Sequence, residues 1–118
     1  MASQNMVGRA VEYRVKVGSR ANVYTNILAY DGTAKDLSDT ALYSTARWKV
    51  WKPDGTMVID ANASFSDRET GEIRYQLADS DTVAANAGNW SGEVEIKNSS
   101  GVMTEQTKTF NFVIEESY

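Results

Sequence analysis

Apolar and polar residues alternate strictly along two stretches of this chain. The apolar positions are Ile73, Tyr75 and Leu77 in the first stretch, and Trp90, Gly92, Val94 and Ile96 in the second. Because successive side chains of a β-strand point to opposite faces, the pattern predicts two strands with one buried and one solvated face. A shift of one residue would bring every large apolar group into water, so burial fixes the register of both strands.

A polar link, residues 78–89, joins these two strands and is too long for a tight hairpin. It predicts that the chain crosses here from one sheet to another. Asp79 or Ser80 can cap a short helix through Ala85, because their side-chain oxygens accept hydrogen bonds from free N–H groups at a helix start. Gly88 provides the residue of positive φ at which such a helix ends. We therefore expect one short helix between two sheets.

Further strands are predicted by similar alternation at residues 11–17, 21–30, 46–50, 58–65 and 102–115. The third of these seven strands carries Trp48 on its apolar face, and a turn with Pro53 and Gly55 ends it. A buried tryptophan on the third strand and a crossing after the fifth are typical of immunoglobulin-like domains. The sequence thus predicts an all-β chain, folded as an immunoglobulin-like antiparallel β-sandwich of about seven strands with one short helix.

The length of 118 residues fits one domain with a substantial core. Residues 1–8 are small and polar, which indicates a flexible N-terminal arm. No repeat or change of composition divides the remaining chain. We therefore expect a single immunoglobulin-like β-sandwich domain at residues 9–118.

Composition narrows the chemistry that this chain can perform. It contains no histidine and no cysteine, which excludes Ser-His-Asp catalysis, thiol catalysis and cysteine-based zinc sites. The formal net charge of −4 argues against nucleic acid as a partner, because such binding depends on clustered Lys and Arg. No apolar run reaches signal-peptide length or the ~20 residues of a membrane span. We expect a soluble protein, used inside the cell that makes it, with no membrane partner.

Acidic residues outnumber basic ones, but their positions do not suggest a catalytic pair. Asp31, Asp54 and Asp67 fall in turns, whereas a glycosidase needs two carboxyl groups that converge in a cleft. Asp79 and Asp81 lie close together and could bind calcium, although helix capping also explains both. We therefore expect no enzymatic activity, no cofactor and no metal site, with calcium as the alternative.

Aromatic side chains offer the best candidate for a binding surface. Trp51 is three residues from Trp48, so regular alternation places the two rings on opposite faces of one strand. Trp51 then covers the end of the sheet, contacts another subunit or stacks on a sugar. Tyr24, Leu28 and Tyr30 share one face of the second strand. That face is either covered within the monomer or a partner surface.

The order of turn and core motifs also resembles a known family. The motifs are residues 30–38 (YDGTAKDLS), 53–55 (PDG), 70–77 (TGEIRYQL), 88–96 (GNWSGEVEI) and 110–114 (FNFVI). In this order they resemble the N-terminal immunoglobulin-like domain of phage baseplate upper proteins. Related domains occur in tail, neck and capsid-decoration proteins of phages.

This resemblance implies a non-enzymatic structural protein of the virion, made in the host cytoplasm. Its partners would be other virion proteins, with multiple copies of the chain arranged by the symmetry of the particle. The edges of the first and last strands are the natural candidates for docking. A tail or baseplate component is the leading expectation. The alternatives are a capsid decoration or neck protein, or a carbohydrate-binding or adhesion module.

Overall fold

The computed structural model describes residues 12–116. Its strands are β1 (Glu12–Lys16), β2 (Asn22–Asn26), β3 (Thr45–Trp51), β4 (Met57–Asp67), β5 (Glu72–Gln76), β6 (Gly88–Lys97), β7 (Met103–Gln106) and β8 (Phe110–Glu115). Two 3₁₀ turns, Arg68–Thr70 and Ala84–Asn86, are the helical segments of the described range. The expected arm of residues 1–8 lies outside that range, and the single domain at residues 9–118 stays a prediction.

The strands pair in the order β1-β8-β6-β3-β4-β5-β2, with β7 also paired to β6. The long strand β4 belongs to both layers: residues 57–63 pair with β3, and residues 64–67 pair with β5. Bending along β4 lets β5 and β2 face the other strands, so the sheet is nearly closed into a barrel. The predicted all-β, immunoglobulin-like sandwich is confirmed.

Two details of the strand arrangement differ from the sequence prediction. The sandwich is not wholly antiparallel, because β1 runs parallel to β8, with Glu12 opposite Asn111. The stretch predicted as one strand at residues 102–115 divides into β7 and β8. At the break, the backbone N–H of Thr107 donates to the carbonyl oxygen of Val94 at 3.0 Å, and its hydroxyl accepts from the Val94 N–H at 2.9 Å. These two hydrogen bonds take the place of a backbone pair between strands, at the point where the chain passes from β7 to β8.

The core contains the alternating apolar residues that the sequence predicts. The most deeply buried large side chains include Trp48, Phe112, Ile73, Leu77, Val94 and Ile96. Trp48 lies at the centre, where its ring stacks at 6.1 Å on Tyr75 of the opposite layer and meets the edge of Tyr13 at 5.6 Å. Aromatic contacts of this geometry add to the free energy gained by burying the rings.

The link between β5 and β6 crosses between the layers as predicted, but its polar residues have other roles. It forms only the short turn Ala84–Asn86, and no side chain caps that turn. Asp79 instead binds Arg20 at 2.5 Å. Asp81 is buried, and its carboxylate accepts hydrogen bonds from the Tyr75 hydroxyl at 2.5 Å and the Ala78 N–H at 2.8 Å. The capping prediction is therefore wrong, because both carboxylates bind groups outside the turn.

Candidate docking surfaces

The sandwich has two ends, which are formed by different loops. β3 begins at Thr45 beside Lys97 and ends at Trp51 beside Ser91. We call the end beyond Thr45 the loop end; it comprises residues 27–44, 67–71 and 98–103. We call the opposite end the crossover end; it comprises residues 17–21, 52–56 and 77–87. The exposed groups of these two ends differ in kind.

Trp51 lies at the crossover end, as the last residue of β3. Its neighbours across the ladders are Met57 and Ser91, and the pairing of β3 with β4 shifts between Val50 and Trp51. Trp51 is half-buried, whereas Trp48 on the other face is fully buried. The two rings therefore take opposite faces as predicted. Whether Trp51 contacts a partner stays a prediction.

Tyr24, Leu28 and Tyr30 lie on the outer side of β2 and in the turn that follows it. Their side chains are 46%, 39% and 104% exposed, while Val23 is buried. Among the described strands β2 pairs only with β5, so these residues leave the outer face uncovered. Leu28 and Tyr30 belong to the loop end, away from Trp51. The candidate residues thus form two separate groups.

Three exposed apolar residues at the loop end were not identified from the sequence: Leu42, Val102 and Met103. The loops that carry them are joined by hydrogen bonds. The Thr104 hydroxyl donates to the Leu42 carbonyl oxygen at 2.9 Å, and the Ser99 N–H donates to the Ala41 carbonyl oxygen at 2.9 Å. Leu42 lies in a loop, where strand periodicity assigns no face. Val102 and Met103 lie at the start of the strand predicted at residues 102–115, and its pattern alone did not show that they lie at the same end of the sandwich as Leu42.

Strand edges offer another possible contact, because an unpaired edge can accept a further strand. The sequence interpretation favoured the first and last strands as docking edges. The prediction is wrong for the last strand, since β8 lies between β1 and β6. Among the described strands, β1 and β2 end the pairing order.

Carboxylates at the loop end are held by their own turns. Asp31 accepts from the N–H and hydroxyl of Thr33, and Asp36 does the same with Ser38. These bonds favour the ionised form, so the hydroxyl groups of Thr33 and Ser38, followed by their N–H groups, lower the pKa of Asp31 and Asp36. Asp39 accepts from two backbone N–H groups of its loop. Asp31 and Asp36 therefore stay charged at neutral pH.

A half-buried charged cluster lies on the outer face of β3 and β6, between the two ends. Lys49 binds Glu95 at 3.0 Å and pairs across the strands with Glu93. Burial raises the pKa of Glu93, and the hydrogen bond with Glu95 raises it further, while the charge of Lys49 opposes both. Glu93 therefore binds a proton more readily than an ordinary glutamate as the pH falls.

Asp79 and Asp81 do not converge on a common site, because one faces Arg20 and the other faces Tyr75. Among residues 12–116, no group of three or more acidic side chains could hold a metal ion. In the same range no helix is long and apolar enough to cross a membrane.

Comparison with known families decides what kind of domain this is. A family model described as the BppU N-terminal domain matches residues 7–118. The chain belongs to this family. BppU is the baseplate upper protein of phages, so the resemblance seen in the turn and core motifs is confirmed. As a BppU N-terminal domain, the chain has a structural role in a phage tail or baseplate and is a component of the virion.

Solved structures agree with this BppU-type fold. The N-terminal domain of phage TP901-1 ORF48 superposes with a TM-score of 0.64 at 14% sequence identity, over 89% of this chain and 85% of that chain. CopC from Methylosinus trichosporium OB3b superposes with a TM-score of 0.51 at 12% identity, over 92% and 88% of the two chains. At these identities the likeness shows the fold alone. No curated protein sequence matches the chain.

Proposed function

We propose that this chain is a non-enzymatic assembly module that docks on other structural subunits of a phage tail or baseplate. The family match over residues 7–118 carries the proposal. Multiple copies take positions set by the symmetry of the particle. The partners are proteins, and neither nucleic acid nor a membrane is part of the contact.

The outer side of β2 supports a docking role. Tyr24, Leu28 and Tyr30 expose apolar area that the described chain does not cover, and exposed apolar groups bordered by polar residues are typical of protein contacts. Trp51, at the crossover end, is available for a second contact. Two separate contacts would suit a module that lies between two neighbouring subunits.

Purified particles provide the test. Mass spectrometry should find the chain in many copies per particle, and cryo-EM density should place the sandwich against other tail or baseplate subunits. Density at the head or neck would favour a decoration or neck role instead. If the chain is missing from particles of the phage that encodes it, the proposal is wrong.

Carbohydrate binding is the second candidate function, because the Tyr30 ring is fully exposed and could stack on a sugar. Saturation-transfer NMR with a panel of cell-wall saccharides would detect such contacts. Saturable transfer that is lost in Tyr30→Ala and kept in Tyr24→Ala would support an adhesion role. The absence of transfer would leave assembly as the function.

A further inference from the structure

Exposed apolar side chains are concentrated at one end of the sandwich. Among the described residues, the exposed large apolar side chains of the loop end are Leu28, Tyr30, Leu42, Val102 and Met103. Those at or beside the crossover end are Met57 and Val83. Both ends are joined to the same hydrophobic core. Burial in that core therefore does not explain why the loop end exposes more large apolar side chains than the crossover end.

Hydrogen bonds from Arg68 and one ion pair hold the loops of the loop end in place. Leu37 and Tyr43 are buried, and the guanidinium group of Arg68 donates to both of their carbonyl oxygens, at 3.0 and 2.9 Å. An ion pair of 3.0 Å between Lys35 and Glu105 ties the same loops to β7. A surface that is already ordered binds at a lower entropic cost than one that must first be fixed.

Charge at the loop end points to the chemistry of a partner. Asp31, Asp36 and Asp39 take part in none of the ion pairs among residues 12–116; their oxygens accept only uncharged donors. Of the two cations of the loop end, Lys35 is engaged by Glu105, and Arg68 binds backbone carbonyl oxygens. One arginine does not balance three carboxylates, so the apolar group is accompanied by net negative charge.

We infer that the loop end docks on a virion protein whose contact surface is apolar at its centre and carries Lys or Arg side chains at its rim. Apolar groups bury against one another, and the three carboxylates lie opposite the basic rim. Such charge pairing mainly sets the rate and specificity of docking, and the apolar centre supplies most of its strength. The inference rests on the proposed assembly function and adds the surface and the type of partner.

Two methionines allow a direct test. Met103 of the loop end and Met57 of the crossover end are 47% and 42% exposed, so hydrogen peroxide should oxidise both thioethers at similar rates in the free chain. In intact particles we expect Met103 to be oxidised at least about fivefold more slowly than in the free chain. Met57 is the ladder neighbour of Trp51 and reports separately on a contact beside the crossover end. Peptide mass spectrometry after timed peroxide treatment measures both sites in one sample.

The outcomes separate this inference from the proposed function. Oxidation of Met103 in particles at its rate in the free chain, with or without protection of Met57, would overturn docking through the loop end, while the presence of the chain would still support assembly. If the chain is missing from particles, the proposed function itself fails.

The charge component has its own matched variants. Substituting Asp31, Asp36 and Asp39 together by Asn removes three charges and keeps an acceptor oxygen in each turn. Asp54→Asn removes one charge and keeps the acceptor oxygen in a turn at the crossover end, where Asp54 accepts from the Thr56 N–H. The triple variant should bind particles lacking the chain about tenfold more slowly, whereas Asp54→Asn should bind normally. Equal rates for both variants and the unmodified chain, or faster binding of the triple variant, would rule out a basic rim on the partner.

Discussion

The two ends of the sandwich use their side chains in opposite ways. At the crossover end polar side chains bind groups of the same chain: Tyr75 donates to Asp81, and the Thr82 hydroxyl donates to the Ser19 carbonyl oxygen at 3.0 Å. At the loop end, one arginine and carboxylates within their own turns hold the backbone of the loops, and apolar side chains remain exposed. The contrast is between polar groups buried in the link that crosses between layers and loops that are held through their backbone while their apolar side chains stay in water.

The largest expected change in the free energy of unfolding comes from a substitution at the crossover end. Asp81→Ala leaves the Tyr75 hydroxyl and the Ala78 N–H without their acceptor in a buried place, which should lower the free energy of unfolding by about 2 to 4 kcal/mol. Urea denaturation followed by tryptophan fluorescence would measure the change. Asp79→Ala removes only the exposed pair with Arg20, and its midpoint should match that of the unmodified chain. A similar loss for both variants would contradict the role assigned to Asp81.

The next largest effect should come from the anchor of the loop end. Gly71 has φ 69°, and a Cβ there would lie 2.7 Å from the carbonyl oxygens of Ile27 and Lys35. Gly71→Ala should therefore cost about 2 to 3 kcal/mol through backbone strain and this clash. Gly55 has φ 89° with open space around it, so Gly55→Ala should cost only about 1 kcal/mol. Equal midpoints in thermal denaturation for the two variants would show that the loop can move aside.

A smaller effect is expected from Glu93, on the face between the two ends. Burial raises its folded pKa above 4.5, so its contribution to stability is complete below the unfolded pKa and is lost as the pH rises through the folded pKa. Glu93→Gln gives a side chain that is neutral at both pH 4 and pH 7. Compared with the unmodified protein, the variant should therefore gain stability at pH 7 relative to pH 4. Melting temperatures of both proteins across that interval would test this.

Asp54 provides a control, because its contribution to stability should depend on pH in the opposite direction to that of Glu93. Hydrogen bonds to the N–H and hydroxyl of Thr56 lower its pKa below 3.8, so its contribution is present above the unfolded pKa and is lost as the pH falls through the folded pKa. Asp54→Asn should therefore reduce the loss of stability in acid. If both variants shift the pH profile in the same direction, the assigned causes are wrong.

The smallest effect on stability is expected at the exposed part of the loop end. Met103 is 47% exposed and Tyr30 is fully exposed, so in Met103→Ser and Tyr30→Ser the melting temperature should stay within about 2 °C of the unmodified value. Incorporation into particles should nevertheless fall, and Val83→Ser, at an exposed apolar position of the crossover end, is the control that should be incorporated normally. Large unfolding shifts for Met103→Ser or Tyr30→Ser would mean that the loop end is part of the core.

Alternation along the strands predicted most of the fold, because the sequence of each strand shows by itself which face is buried. Ile73, Val94 and Phe112 are buried as their positions require. The sequence of one strand does not show which other strand pairs with it, so the parallel pairing of β1 with β8 could not be inferred. An acidic residue near a turn also has two possible roles, so Asp81 was assigned to capping although the fold brings it against Tyr75.

The candidate surface was predicted only in part, for a similar reason. Tyr24, Leu28 and Tyr30 lie in or beside a strand, so their common face could be inferred. Leu42 and Met103 come together with Tyr30 only because the fold brings separate loops to one end. Trp51 was grouped with them by side-chain type, and the structure separates it because it lies at the other end of β3.

The parallel pairing of β1 with β8 has a consequence for how the domain forms. It joins segments about 100 residues apart in the chain, and contacts between such distant segments slow folding because a long loop must close first. During synthesis β1 leaves the ribosome early and waits for β8 before it can take its place. Among the described strands, β1 is therefore made first but is among the last to be secured, and its open edge is exposed to other chains throughout that interval.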